Sequence, residues 1–188
     1  MPLVAYNPCV TALGNHTPGG NCIEEGSGIL GLGLVRKGFD LNTIIDATSY
    51  TAAKTGNNIK VVKDVEAFWP SAGPQTIPGF AGRMERLGHF QWELPFKHYG
   101  VDANLVFWNT VNQDQNWGIF FVTEEYKVFA PLDRDLEPVL CHINCRPAGD
   151  QEFGKQRFFE GVVRWKHVDL PQFVDTMTKT IIRADYQP

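Results

Sequence analysis

The stretch LEPVLCHINCRP, residues 136–147, decides how the rest of the chain is read. Val139, Cys141, Ile143 and Cys145 fall on one side of it, and Leu140, His142 and Asn144 on the other. That is the period of a β-strand, whose successive side chains point to opposite faces. Both cysteines then sit beside Ile143 as small apolar core fillers, and His142 points away from them. A zinc site asks for ligands gathered by a turn, usually in tight C-x-x-C knuckles, and Cys9 and Cys22 lie far upstream with a twelve-residue spacer between them. A Cys141–Cys145 disulfide fails on distance, because residues i and i+4 of a strand are about 13 Å apart. The four cysteines are read as free thiols, with no metal and no cofactor.

Outward from that strand, most of the chain carries the same signature. GILGLGLVRKGF (28–39) has Ile29, Leu32, Leu34 and Val35 among its glycines, as a bent or bulged strand has where another backbone passes closely. Its GSGILG start does not make a dinucleotide turn, since no apolar strand precedes it and no helix follows. NNIKVVKDVEAFWP (57–70) reads as one strand with Ile59, Val61 and Val65 inward. WPSAGPQTIPGFAGRMERLG holds three prolines and four glycines in twenty residues and reads as a long loop, about 68–87. GHFQWELPFKHYG (88–100) is a strand with Phe90, Trp92 and Leu94 on one face, ended by Pro95.

Then the period changes. Val101, Leu105, Trp108 and Val111 recur every three or four residues, which predicts one short amphipathic helix from about 102 to 113, capped by Asp102. GIFFVTEEYKVFAPL (118–132) predicts two strands joined at Glu124–Glu125. The strand at 136–145, a polar turn and the strand RFFEGVVRWKHV (157–168) follow, with Phe159, Val162, Val163 and Trp165 as core residues. The tail offers a short turn of helix or an edge strand at 178–183. The predicted fold is mainly β, a β-sandwich or rolled sheet with one short flanking α-helix. It forms a single domain over 1–188 with an N-terminal arm of about 25 residues.

Composition bounds the function. A chain of 188 residues, 43% hydrophobic and 20% charged, buries a core without disulfide staples. A net charge of -4, from 17 basic and 21 acidic residues, gives no electrostatic reason to hold nucleic acid tightly, so no sequence-specific nucleic-acid partner is expected. The start has no basic leader and apolar run of a secretory signal, and no window has about 18 uninterrupted apolar residues, so no membrane partner is expected.

Catalytic equipment is sparse. The chain lacks a G-x-S-x-G elbow, a P-loop and an H-E-x-x-H helix, and His16, His89, His98, His142 and His167 are scattered without short-range partners. DRDLEP lacks the glycine and late glutamate of a calcium loop. No catalytic, cofactor-binding or metal residue is assigned, and the chain is read as non-enzymatic. An enzyme would need His89, His98 and His142 to converge. A monomeric carbohydrate or small-ligand module would use Trp69, Trp92, Trp108, Trp117 and Trp165 as aromatic platforms, although Trp92, Trp108 and Trp165 fall in phase with core positions.

The order of elements carries more. LPFKHYGVDANLVFWNTVNQDQNWGIFFVTEEYKVFAPL (94–132) followed by GDQEFGKQRFFEGVVRWKHVDLP (149–171) resembles the tail tube (major tail) and small virion structural proteins of phages and prophages of Bacteroidetes. The resemblance implies a β-sandwich or rolled sheet flanked by a helix, whose sheets join between six subunits to build a ring. A long loop reaches the next ring, and a mildly acidic face lets DNA slide without sticking. It implies a non-catalytic homo-oligomer that partners itself and other virion or tail proteins, assembled in the bacterial host cytoplasm and located in the virion. The N-terminal arm and the 68–87 loop are the expected assembly elements.

Overall fold

The computed structural model describes residues 28–78, 84–148 and 157–186. The expected N-terminal arm and the turn between the last two long strands lie outside these residues.

The sequence of elements opens with β1 (Gly28–Arg36), a 3-10 turn (Leu41–Thr43) and α1 (Ala47–Thr55). Next come β2 (Ile59–Val62), β3 (Val65–Phe68), β4 (Ser71–Pro78), β5 (Met84–Tyr99) and α2 (Val101–Gln113). Then follow β6 (Trp117–Thr123), β7 (Val128–Ala130), β8 (His142–Ala148), β9 (Phe158–His167), β10 (Gln172–Phe173) and α3 (Lys179–Tyr186). The strands form one antiparallel sheet in the order β10-β7-β6-β1-β3-β5-β9-β8, with β2 beside β1 and β4 beside β5. The fold is therefore mainly β.

Strand β6 explains why the sheet has two cores. Every residue of Trp117–Thr123 is buried. Trp117, Ile119 and Phe121 join one apolar cluster, whereas Phe120 and Val122 join another. The first cluster draws Leu32 and Leu34 from β1, Trp92, Leu94 and Phe96 from β5, Ile143 and Cys145 from β8, Phe159 and Trp165 from β9, and Trp108 from α2. Strands at opposite ends of the ladder thus share one interior, so the sheet is rolled. A backbone bond from Cys141 N–H to the Trp117 carbonyl, 2.9 Å, ties the approach to β8 back to β6. The second cluster covers the other face with Tyr50 and Ala53 of α1 and Ile182 and Tyr186 of α3.

Several expectations need correction. There are three α-helices among the described residues: α2 is the predicted flanking helix, α3 takes the helical alternative offered for the tail at 178–183, and α1 is not predicted. The single strand expected over 57–70 is two, β2 and β3, interrupted where Asp64 takes a left-handed backbone (φ 54); both pair with β1, and β3 also pairs with β5. The long loop expected at 68–87 is mostly paired strand, β4 and the start of β5. Pro95 does not end its strand. On that side of β5 the ladder passes from β3, which ends at Ala67↔Phe96, to β4, which resumes at Ser71↔Glu93. Pro95 falls in the gap, where a missing N–H forfeits no bond to either strand. Helix α2 starts from Gly100 (φ 85) rather than from an Asp102 cap, and the Asn104 side chain donates to the Gly100 carbonyl at 2.8 Å. Leu105 stays exposed.

Two glycines of β1 make room for rings, and Gly31 also admits the backbone carbonyl of Val62 at 3.0 Å from where a Cβ would sit. A Cβ at Gly33 would lie 1.9 Å from the Phe120 ring, and one at Gly31 would lie 2.3 Å from the Tyr186 ring. A register shift between Ile29 and Gly31 supplies the expected bulge.

Candidate functional site

The residues singled out from the sequence take up structural positions. Cys141, Ile143 and Cys145 are buried on the inner face while Leu140, His142 and Asn144 are exposed, as the strand period predicts. Burial raises the thiol of Cys141 far above its ordinary value and pushes that of Cys145 up to about 12. Neither is a thiolate nucleophile at neutral pH. Among the described residues no group of His, Cys, Asp and Glu is arranged to hold a metal ion.

His89, His98 and His142 do not come together. His98 is buried in β5, and its ring stacks on Phe159 at 6.3 Å between centroids. The Trp108 indole donates to His98 Nδ1 at 2.8 Å. An indole N–H can only donate, so Nδ1 is the acceptor and the neutral ring carries its proton on Nε2. His89 and His142 are exposed. His142 points outward from β8, opposite Arg164 of β9, and cannot meet a ring on the inner face.

Four of the five tryptophans, Trp92, Trp108, Trp117 and Trp165, belong to the first core, leaving Trp69 partly exposed. They do not form an aromatic platform.

The outer face of β3, β5, β9 and β8 is a charged wall. Glu66, Lys97, Glu160 and Arg146 lie side by side across four strands and alternate in sign. Two outward positions along, past Pro95 and Val162, Arg164 Nε donates to Glu93 Oε1 at 2.8 Å. The hydrogen bond from Arg164, aided by Gln91, holds the Glu93 carboxyl below its ordinary range. With Lys166 added, basic groups slightly outnumber acidic ones, so this face is not the acidic one that the resemblance implies. A cleft of about 380 Å³ at the start of β1 is lined by Lys63, Asp64, Glu66, Phe68, Glu124 and Asp185. Asp185 there is engaged by Lys54 at 2.5 Å and Lys63 at 3.4 Å, which fasten α3 to α1 and to the link between β2 and β3.

The sheet edges distinguish one region. At β8 the middle of the edge is occupied: Asn112 of α2 donates to the Cys145 carbonyl at 2.6 Å and accepts from its N–H at 3.0 Å, standing in for a neighbouring strand at that residue. At the other end β10 is only two residues long. The β4–β5 ribbon is different. Strand β9 pairs with Phe90–Tyr99 of β5 and stops. Met84, Glu85 and Arg86 pair with Pro78, Ile77 and Thr76 of β4 and, among the described residues, with no other strand. The ribbon runs on for Met84–His89, about 20 Å at a strand rise of about 3.3 Å per residue. Sequence reasoning located this segment as special but missed its strands, because Gly73, Pro74 and Pro78 mask the alternation.

Comparison with family models, curated proteins and solved structures finds no match to this chain.

Proposed function

We propose that the chain is a non-catalytic structural subunit that assembles with copies of itself, of the tail-tube or virion kind its sequence pattern resembles. The β4–β5 ribbon is the observation that carries this reading. A two-stranded ribbon is marginally stable at best in water, and ordering it costs about 1–2 kcal/mol per residue in backbone entropy. A surface that covers the ribbon offsets that cost, and in a homo-oligomer a neighbouring copy supplies it. The Asn112 side chain on the β8 edge and the shortness of β10 favour association at the ribbon over indiscriminate edge pairing. Rings, with six copies as the number the resemblance implies, and their stacking into a tube within a virion follow from the same reading.

The test is to replace residues 75–89 by Asn-Gly, which closes a tight hairpin between the paired residues Pro74 and Phe90. The expected product is a folded monomer that forms no rings or tubes under conditions where the parent does. A shortened protein that assembles like the parent overturns the assignment.

A further inference from the structure

A second cleft lies where the sheet parts. Strand β8 pairs with β9 as far as His142↔Arg164, and the residue before, Cys141, gives its N–H to the Trp117 carbonyl of β6 instead. Strands β9 and β5 run on together through Trp92↔Trp165, Gln91↔Lys166 and Phe90↔His167. The chain leading into β8 thus leaves that edge of β9 unpaired beyond Arg164 among the described residues. A cleft of about 400 Å³ lies there, lined by Gln91, Leu140, His142, Arg164, Trp165 and Lys166. Small-ligand sites have volumes of about 300–1,000 Å³.

The lining offers hydrogen-bond donors and no carboxylate. Arg164 and Lys166 are cationic, and the His142 ring and the Gln91 amide add N–H groups. The acid beside them, Glu93, accepts from Arg164 Nε at 2.8 Å and from Gln91 Nε2 at 3.2 Å. The terminal guanidinium N–H groups of Arg164 and the side chains of His142 and Lys166 have no hydrogen-bond or ion-pair partner among the described residues. Trp165 stacks on Trp92 at 6.1 Å, and its buried indole N–H also lacks a partner among the described residues. A buried donor without an acceptor is rare in a folded protein. Leu140, 40% exposed, supplies an apolar wall. Elsewhere on this face each cation has an acid beside it, as in the row Glu66, Lys97, Glu160 and Arg146.

We propose that this cleft binds a small organic anion, a carboxylate or a phosphate held by Lys166 and Arg164, with the apolar part of the ligand against Leu140. Guanidinium and ammonium groups are the usual partners of both headgroups, and a charge-assisted bond is about twice as strong as a neutral one. A single chain supplies the whole lining, so the site serves a monomer and an assembled subunit alike.

The test is equilibrium dialysis of the full chain against phenyl phosphate and against benzoate, with benzyl alcohol as the uncharged counterpart. Dialysis reads ligand bound per chain whatever the state of assembly. Saturable binding of one anion per chain is expected, about tenfold or more tighter than that of benzyl alcohol, and the two anions distinguish the headgroups. Lys166 is exposed, so Lys166→Gln leaves the fold intact; it is expected to weaken binding about tenfold, and Lys166→Arg to restore it. Lys97→Gln removes the same charge from the same face outside the cleft and is expected to leave the affinity within about twofold. Absence of saturable binding by either anion overturns the inference, as does benzyl alcohol binding as tightly as the anions. So does an unchanged affinity in Lys166→Gln, or an equal loss in Lys97→Gln, which would place the attraction in the general field of the wall.

Discussion

Gly33 lies under the ring of Phe120, which has no exposed surface and therefore no room to swing away. Gly33→Ala is expected to lower stability by about 1–3 kcal/mol through overpacking, read as a lower urea midpoint with an unchanged slope; an unaltered midpoint would mean that the ring has another place to go. His98 sets a pH dependence. Burial holds its pKa below the ordinary 6.5, with the Asp64 carboxylate opposing that shift. The unfolded chain therefore binds a proton that the folded protein refuses. Stability from this group is complete above about pH 6.5 and falls as pH drops through 6.5 toward the lower folded value. His98→Gln keeps an acceptor for the Trp108 indole and removes the titration, so its stability should decline less than that of the parent between pH 7 and 5. Parallel declines would show that His98 is not the group responsible. At this scale the cysteines were legible, because a period of two needs only a few neighbours to declare itself. The His98–Trp108 bond was not, since the two residues are ten apart on a strand and a helix, and only the packing of α2 brings them together.

Helix α3 shows what a terminal element contributes. Its Tyr186 hydroxyl donates to the Leu32 carbonyl at 2.9 Å and its ring covers Gly31, while Asp185 takes the two lysines. Burial acts to raise the Asp185 pKa, but hydrogen bonding and the charges of Lys54 and Lys63 prevail and hold it low. Tyr186→Phe keeps the ring and removes the bond, so it is expected to cost about 0.5–1.5 kcal/mol in chemical unfolding. A variant as stable as the parent would show that the hydroxyl adds nothing beyond the packing of the ring. The β6–β7 hairpin was readable, with Phe121↔Phe129 and Val122↔Val128 flanking the expected Glu124–Glu125 turn. Helix α1 was not. ATSYTAAKT buries only Tyr50 and Ala53, too thin a stripe to reveal a helix, and its start depends on a reciprocal Asp46–Ser49 cap. The β4 strand was hidden by prolines that a ribbon's outer strand tolerates because no further ladder needs their N–H groups.

At the scale of the whole molecule, the mainly β class followed from the alternation of apolar residues, whereas the choice of a rolled sheet over a sandwich did not. It depends on β6 being buried on both faces and on the Cys141–Trp117 backbone bond, and both are long-range pairings that no local pattern encodes. Among the described residues no helix is long and apolar enough to cross a membrane. The architecture places Asn112 against Cys145 on the β8 edge, keeps β10 short, and sends β4 and β5 out beyond β9. Those edges leave the ribbon as the surface for assembly. Light scattering across a concentration series, with negative-stain microscopy of the heaviest fraction, applied to the parent and to the variant with residues 75–89 replaced, tests it most directly. Rings or tubes are expected from the parent and a folded monomer from the variant; a parent that remains monomeric at every concentration, or a variant that assembles as well as the parent, would rule out assembly through the ribbon.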